Sequence, residues 1–141
     1  MDPLSITAST LTVLAALGTV FRLVRTYRGA PGQLEALNNE VSNTTVAVRD
    51  VARILKEYQD KNGVLDGEGS HLALALSNIC QKAGRLEALF RSCINPPTST
   101  SDGIRFSRIS WLKVKSKVPH LQTELRDGRL KLLVALATLT A

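Results

Sequence analysis

The order of apolar and polar positions divides the chain into four helix-length segments. The first, LSITASTLTVLAALGTVF from Leu4 to Phe21, has no ionisable side chain. Asp2 offers an N-cap oxygen and Pro3 suits a first turn, so a helix is predicted from here to Tyr27, where Gly29-Ala30-Pro31-Gly32 stops it. From Gln33 to Asp60, apolar residues recur at Leu34, Leu37, Val41, Val48, Val51 and Leu55, with Thr44 in the gap and charged residues on the other faces. That pattern predicts an amphipathic second helix, closed by Lys61-Asn62-Gly63.

After the turn GVLDGEG, Ser70 is placed to cap a third helix, whose stripe of Leu72, Leu76, Ile79, Ala83, Leu86, Phe90 and Cys93 keeps an unbroken 4-3-4-3-4-3 spacing. Asn95-Pro96-Pro97 ends it, since proline supplies no N–H to continue a helix. The polar linker TSTSDG leads to IRFSRISWLKVKSK, read as a short helical piece that lets Trp111 cover one end of the bundle. A last helix begins between Ser116 and Pro119 and carries Leu121, Leu125, Leu132, Leu136 and Leu139. Gly128 in its middle costs about 1 kcal/mol of helix stability.

No segment alternates with the period of a strand, so the predicted fold class is all-α: an antiparallel helical bundle of four main helices plus a short helical segment, one domain over residues 1–141. The chain stops on LVALATLTA without Gly, Pro or a polar tail, which reads as the N-terminal module of a longer protein. A hydrophobic content of 44% is ordinary for one domain, and aromatics at 4% point to an aliphatic core.

Charge narrows the partners. A net charge of +6 favours anionic surfaces, whether acidic lipid, nucleic acid or an acidic protein face. The basic residues carry no nucleic-acid motif and little aromatic interleaving, which argues against nucleic acid. Cys80 and Cys93 fall in one predicted helix, roughly 20 Å apart along its axis, too far to bridge, and read as reduced, buried thiols of an intracellular protein. Positive charge follows the first apolar stretch instead of preceding it, which is the wrong order for a secretory signal. His71 and His120 have no companions at metal-ligand spacing, and the chain has no P-loop, nucleophile elbow or apolar carboxylate pair. The reading is no enzyme, no cofactor and no metal.

The first segment carries the candidate chemistry. Projected at helical period, Leu4, Ile6, Leu11, Val13, Leu14, Leu17, Val20, Phe21 and Leu23 spread over most of the circumference, and the remaining sector holds the small residues Ser5, Ser9, Thr12, Ala16 and Thr19. One reading is a membrane-inserting helix in which the small stripe lets copies pack closely. The other is the core helix of a soluble bundle with a mildly polar edge, because a span usually takes about 20 apolar residues. Arg22, Arg25 and Arg28 follow the stretch, and Arg105, Arg108, Lys113, Lys115 and Lys117 form a second basic run with no acid between its ends. Both are candidate anionic-lipid contacts, or else solvated cations.

Three pieces in order, MDPLSITAS, GAPGQLEALNNEVSNTTVAVRDV and WLKVKSKVPHLQTELRDGRLKLLVAL, give the whole chain a resemblance to the fungal N-terminal domain of NLR-like (STAND) and ankyrin proteins, a group that overlaps the HeLo-like domains. The resemblance implies a HeLo-like bundle, similar to that of the mixed-lineage kinase domain-like pseudokinase, acting in programmed cell death, fungal innate immunity or heterokaryon incompatibility. By that likeness Leu4 to Phe21 is a pore-forming or membrane-disrupting segment, released when subunits oligomerise through an NLR-like or amyloid-signalling partner. The protein then rests in the cytoplasm and moves to the plasma membrane on activation. The alternative is a soluble oligomerisation module of such a receptor, without membrane activity.

Overall fold

Four apolar stripes, each too wide to remain in water, are buried against one another in a single core. The computed structural model describes residues 3–26, 32–62, 69–95, 105–106 and 112–140. Its helices are α1 (Pro3–Thr26), α2 (Gly32–Asn62), α3 (Gly69–Ser92) and α4 (Lys117–Thr140). The α2 stripe is buried in full, Thr44 included, and so are all seven residues of the α3 stripe. The five leucines expected to line α4 are also buried. The fold is an all-helical bundle. α3 begins at Gly69, one residue before the serine expected to cap it, and Asp2 lies outside the described residues.

The helices form a square. α1 packs against α2 and α3, and α4 against α3 and α2, which leaves α1 diagonal to α4 and α2 diagonal to α3. Residues 63–68 can span at most about 20 Å, less than half the roughly 46 Å length of α2, so α3 starts at the end where α2 stops. Successive helices therefore alternate in direction, while the side-by-side pairs α1/α3 and α2/α4 run parallel. Residues 8–13 of α1 lie beside residues 76–80 of α3, first half against first half, as this requires.

The segment between α3 and α4 departs from the sequence reading. Arg105–Phe106 is extended and pairs antiparallel with Ile94–Asn95, in a two-residue clip (β1 and β2) that follows α3. Isoleucine and phenylalanine favour this extended pairing. Among the described residues of this piece before α4, helix is found at 112–114, and Trp111 lies outside the described residues.

Gly128 has a packing reason that its helix cost did not reveal. A Cβ there would sit 3.1 Å from Ile79 Cγ1, so the glycine completes the α4 stripe between Leu125 and Leu132 and lets α4 approach α3 closely. Two carboxylates pin α4 to its neighbours. Glu40 of α2, 4% exposed, faces Arg129 Nη1 at 2.9 Å and Arg126 Nε at 3.5 Å. Glu124 of α4 meets Lys82 Nζ of α3 at 2.9 Å and its own helix's His120 Nε2 at 2.8 Å, with Arg85 of α3 at 4.0 Å.

Two predictions follow from this packing. Thr44 Oγ1 is buried without a hydrogen-bond partner among the described residues, so Thr44→Val should raise the chemical-denaturation midpoint, by about 1 kcal/mol in stability. The Lys82 ammonium holds the Glu124 carboxyl below its ordinary value of 4.5. A depressed carboxylate contributes stability that is complete above that value and lost as pH falls through the native one. Melting curves from neutral to acid pH should therefore fall less steeply for Glu124→Gln than for the parent protein.

Candidate functional site

α1 is apolar along most of its length, and the bundle buries one face of it. Thr10, Val13, Leu17, Val20 and Val24 are buried, and Leu14, Phe21 and Leu23 are half-buried against the core. Ala8, Leu11, Thr12, Ala15, Arg22 and Arg25 are exposed, with Leu11 at 64%. Of the predicted small stripe, Thr12 is exposed and Ser9, Ala16 and Thr19 are half-buried. Thr12 Oγ1 donates to the Ala8 carbonyl at 2.9 Å and Thr19 Oγ1 to the Ala15 carbonyl at 3.0 Å, so both hydroxyls are satisfied within their own helix. The side chains of Leu4, Ser5 and Ile6 lie outside the described residues.

The window Ala8–Arg25 is long and apolar enough to cross a membrane by length and composition, and 33% of it is buried in the bundle. Its 18 residues span about 27 Å, close to the roughly 30 Å of a hydrocarbon core. Gly18 has open space where a Cβ would stand, so the bundle does not need a glycine there.

Among the described residues no ion pair joins α1 to another helix. Arg22 reaches Thr19 Oγ1 at 3.5 Å, and the Arg25 guanidinium lies 5.5 Å from the Phe21 ring centroid, both inside α1. Among the described residues, the ion pairs between helices join α2 to α4 and α3 to α4.

The candidate cations come together although they are far apart in sequence. α1 ends, and α4 begins, at the same end of the bundle, so the exposed Arg22 and Arg25 share that end with the exposed Lys113, Lys115 and Lys117. Arg105 is placed there by its backbone; Arg28 and Arg108 lie outside the described residues. Cys80 and Cys93 are free. Cys93 is buried, and burial pushes its thiol up. Cys80, expected to be buried too, is half-buried, on the groove between α1 and α3. No group of three metal-ligating side chains occurs among the described residues.

Sequence reasoning missed one surface. The seam between α3 and α4 exposes Leu74, Leu130 and Val134 at 63%, 51% and 66%. The signal was present in LKLLVALATL, which holds more apolar residues than one buried stripe uses. Compared with known proteins, the chain finds no match: no protein-family model, no curated protein and no solved structure.

The two faces of α1 should respond oppositely to truncation. Leu17→Ala should cost about 2–5 kcal/mol in urea unfolding, as for a fully buried leucine. Leu11→Ala should stay within about 0.5 kcal/mol of the parent protein.

Proposed function

We propose that the protein is a membrane-targeting, oligomerising effector bundle in which α1 is the segment that enters lipid. The observation that carries this reading is the Ala8–Arg25 window: of membrane-spanning length, 33% buried, and held to α2 and α3 with no ion pair among the described residues. α1 can therefore leave without breaking the pairs at Glu40 and Glu124 that join α2, α3 and α4.

In water the departure is costly. Val13, Leu17, Val20 and Val24 each forfeit about 1.5–3 kcal/mol on exposure, together of the order of a domain's whole folding stability. Lipid restores that term and water does not, so the bundle stays closed until clustering or a partner brings α1 to a membrane. Arg22 and Arg25 then lie at the headgroup level, beside the cations that lead into α4. The small exposed residues Ala8, Thr12 and Ala15, with half-buried Gly18 beside them, permit close packing of inserted copies, since association in lipid favours backbone proximity.

The HeLo-like assignment and a role in fungal cell death rest on the sequence resemblance, and make the protein a cytoplasmic one that moves to the plasma membrane when its NLR-like or amyloid-signalling partner triggers it.

The test is dye release from anionic and neutral liposomes by the folded protein and by Leu11→Lys. Position 11 is exposed, so the lysine leaves the resting fold intact, checked by circular dichroism, while placing a charge one turn inside the inserted window, at a cost up to the about 2.5–3.5 kcal/mol of a charge at the helix centre. Release by the parent protein, weakened by salt on anionic vesicles and abolished in Leu11→Lys, is the expected result. Absence of release after forced oligomerisation, or equal release by both proteins, would overturn the assignment of α1.

A further inference from the structure

The α3/α4 seam changes character along its length. Where α3 begins and α4 ends, it opens into a groove of about 470 Å³ walled mainly by Leu74, Ala75, Leu130, Val134 and Ala135, with His71, Asn78, Lys131 and Thr138 also in its lining. Towards the other end it forms a cleft of about 430 Å³ lined by Arg85, Leu89, Ser116, Lys117, His120 and Leu121. Neither lining contains an acidic residue. α3 and α4 run antiparallel, so the two lie on one line, between about 16 Å (Leu74 to Arg85) and about 26 Å (Val134 to Lys117) apart along the helix axes.

From these observations we propose that the α3/α4 seam is a binding site for a single anionic lipid, with the acyl chain on Leu74, Leu130 and Val134 and the phosphate at Arg85 and Lys117. Three features fit this ligand better than a docked helix. The seam passes from a groove that is mostly apolar, with His71 and Lys131 in its lining, past the Lys82–Glu124 pair to a cationic cleft, an order that suits one amphiphile, whereas an amphipathic helix presents a continuous apolar stripe. The exposed leucines and valine have no covering segment among the described residues. The carboxylate nearest the cleft, Glu124, is already engaged by Lys82 at 2.9 Å and His120 at 2.8 Å, which leaves Lys117 without an acidic partner among the described residues and Arg85 only at 4.0 Å from one. The other nearby acid, Asp127, is exposed, one turn before Lys131 at the groove's rim. The first turn of α4 holds no acid, so its helix dipole adds to the positive potential at Lys117.

This site belongs to the closed bundle and does not need α1 to insert. It shares with the membrane reading only the class of ligand.

The test is a two-dimensional NMR titration of the full chain with four probes below any micelle-forming concentration: a single-chain anionic phospholipid, its zwitterionic counterpart, inorganic phosphate, and a neutral alkyl glycoside. The anionic lipid should shift residues at both halves of the seam, phosphate only the Arg85–Lys117 half, and the neutral alkyl chain only the Leu74–Val134 half. Leu74→Asn and Lys117→Glu, both at exposed positions, should each weaken the anionic lipid about tenfold. Equal binding of the zwitterionic lipid, unchanged affinity in both variants, or shifts confined to α1 would overturn the proposal. So would an acidic amphipathic peptide that shifts the seam where the lipid does not. Leu11→Lys separates the two readings: it leaves seam binding intact whether or not it abolishes vesicle leakage.

Discussion

Glu40 is a carboxylate at 4% exposure, and a charge taken that far from water persists only beside a compensating one. Arg129 and Arg126, three residues apart on α4, supply it, and their spacing fixes where along α2 the last helix must lie. On its other flank α4 repeats the device at a more exposed position, with Glu124 against Lys82. Gly128, between the two, removes the one side chain that would hold α4 away from Ile79. α4 is thus the helix through which α2 and α3 are set in register, and the core leucines close around an arrangement that charge and close approach specify together.

α1 stands outside that network. Its buried residues are Thr10 and the aliphatic Val13, Leu17, Val20 and Val24, and its two described arginines contact residues of α1 itself. Apolar contact is non-directional and lipid satisfies it as well as protein does, whereas an ion pair at partial burial has one partner and one geometry. Parting α1 from the rest would break apolar packing but neither of the ion-pair clusters at Glu40 and Glu124.

The surface is polarised in the same sense. α2 exposes Glu35, Asp50, Glu57 and Asp60, with Asp50 and Glu57 beside Arg53, whereas the described part of α1 carries no acid; Glu87 of α3 and Glu124 of α4 are paired with cations and Asp127 of α4 is exposed. The end where α1 stops and α4 starts gathers Arg22, Arg25, Lys113, Lys115 and Lys117, while the opposite end shows exposed Leu11, Leu74, Leu130 and Val134.

The sequence by itself determined the helices and their buried faces. The stripes Leu34 to Leu55, Leu72 to Cys93 and Leu121 to Leu139 each recur at helical period, and a periodic stripe has one side to bury wherever its partners stand. It also marked α1 as apolar nearly all round and the cations near its end. What it left open was decided in three dimensions: which helices share an edge of the square, why Gly128 interrupts α4, that Arg105–Phe106 pairs with Ile94–Asn95, and that α1 shows Leu11 outward while burying Leu17. Each of these depends on residues distant along the chain meeting in space. Helical periodicity is local and records only that a face must be covered, while the identity of the covering helix, and of any face left uncovered, is set by the packing of all four.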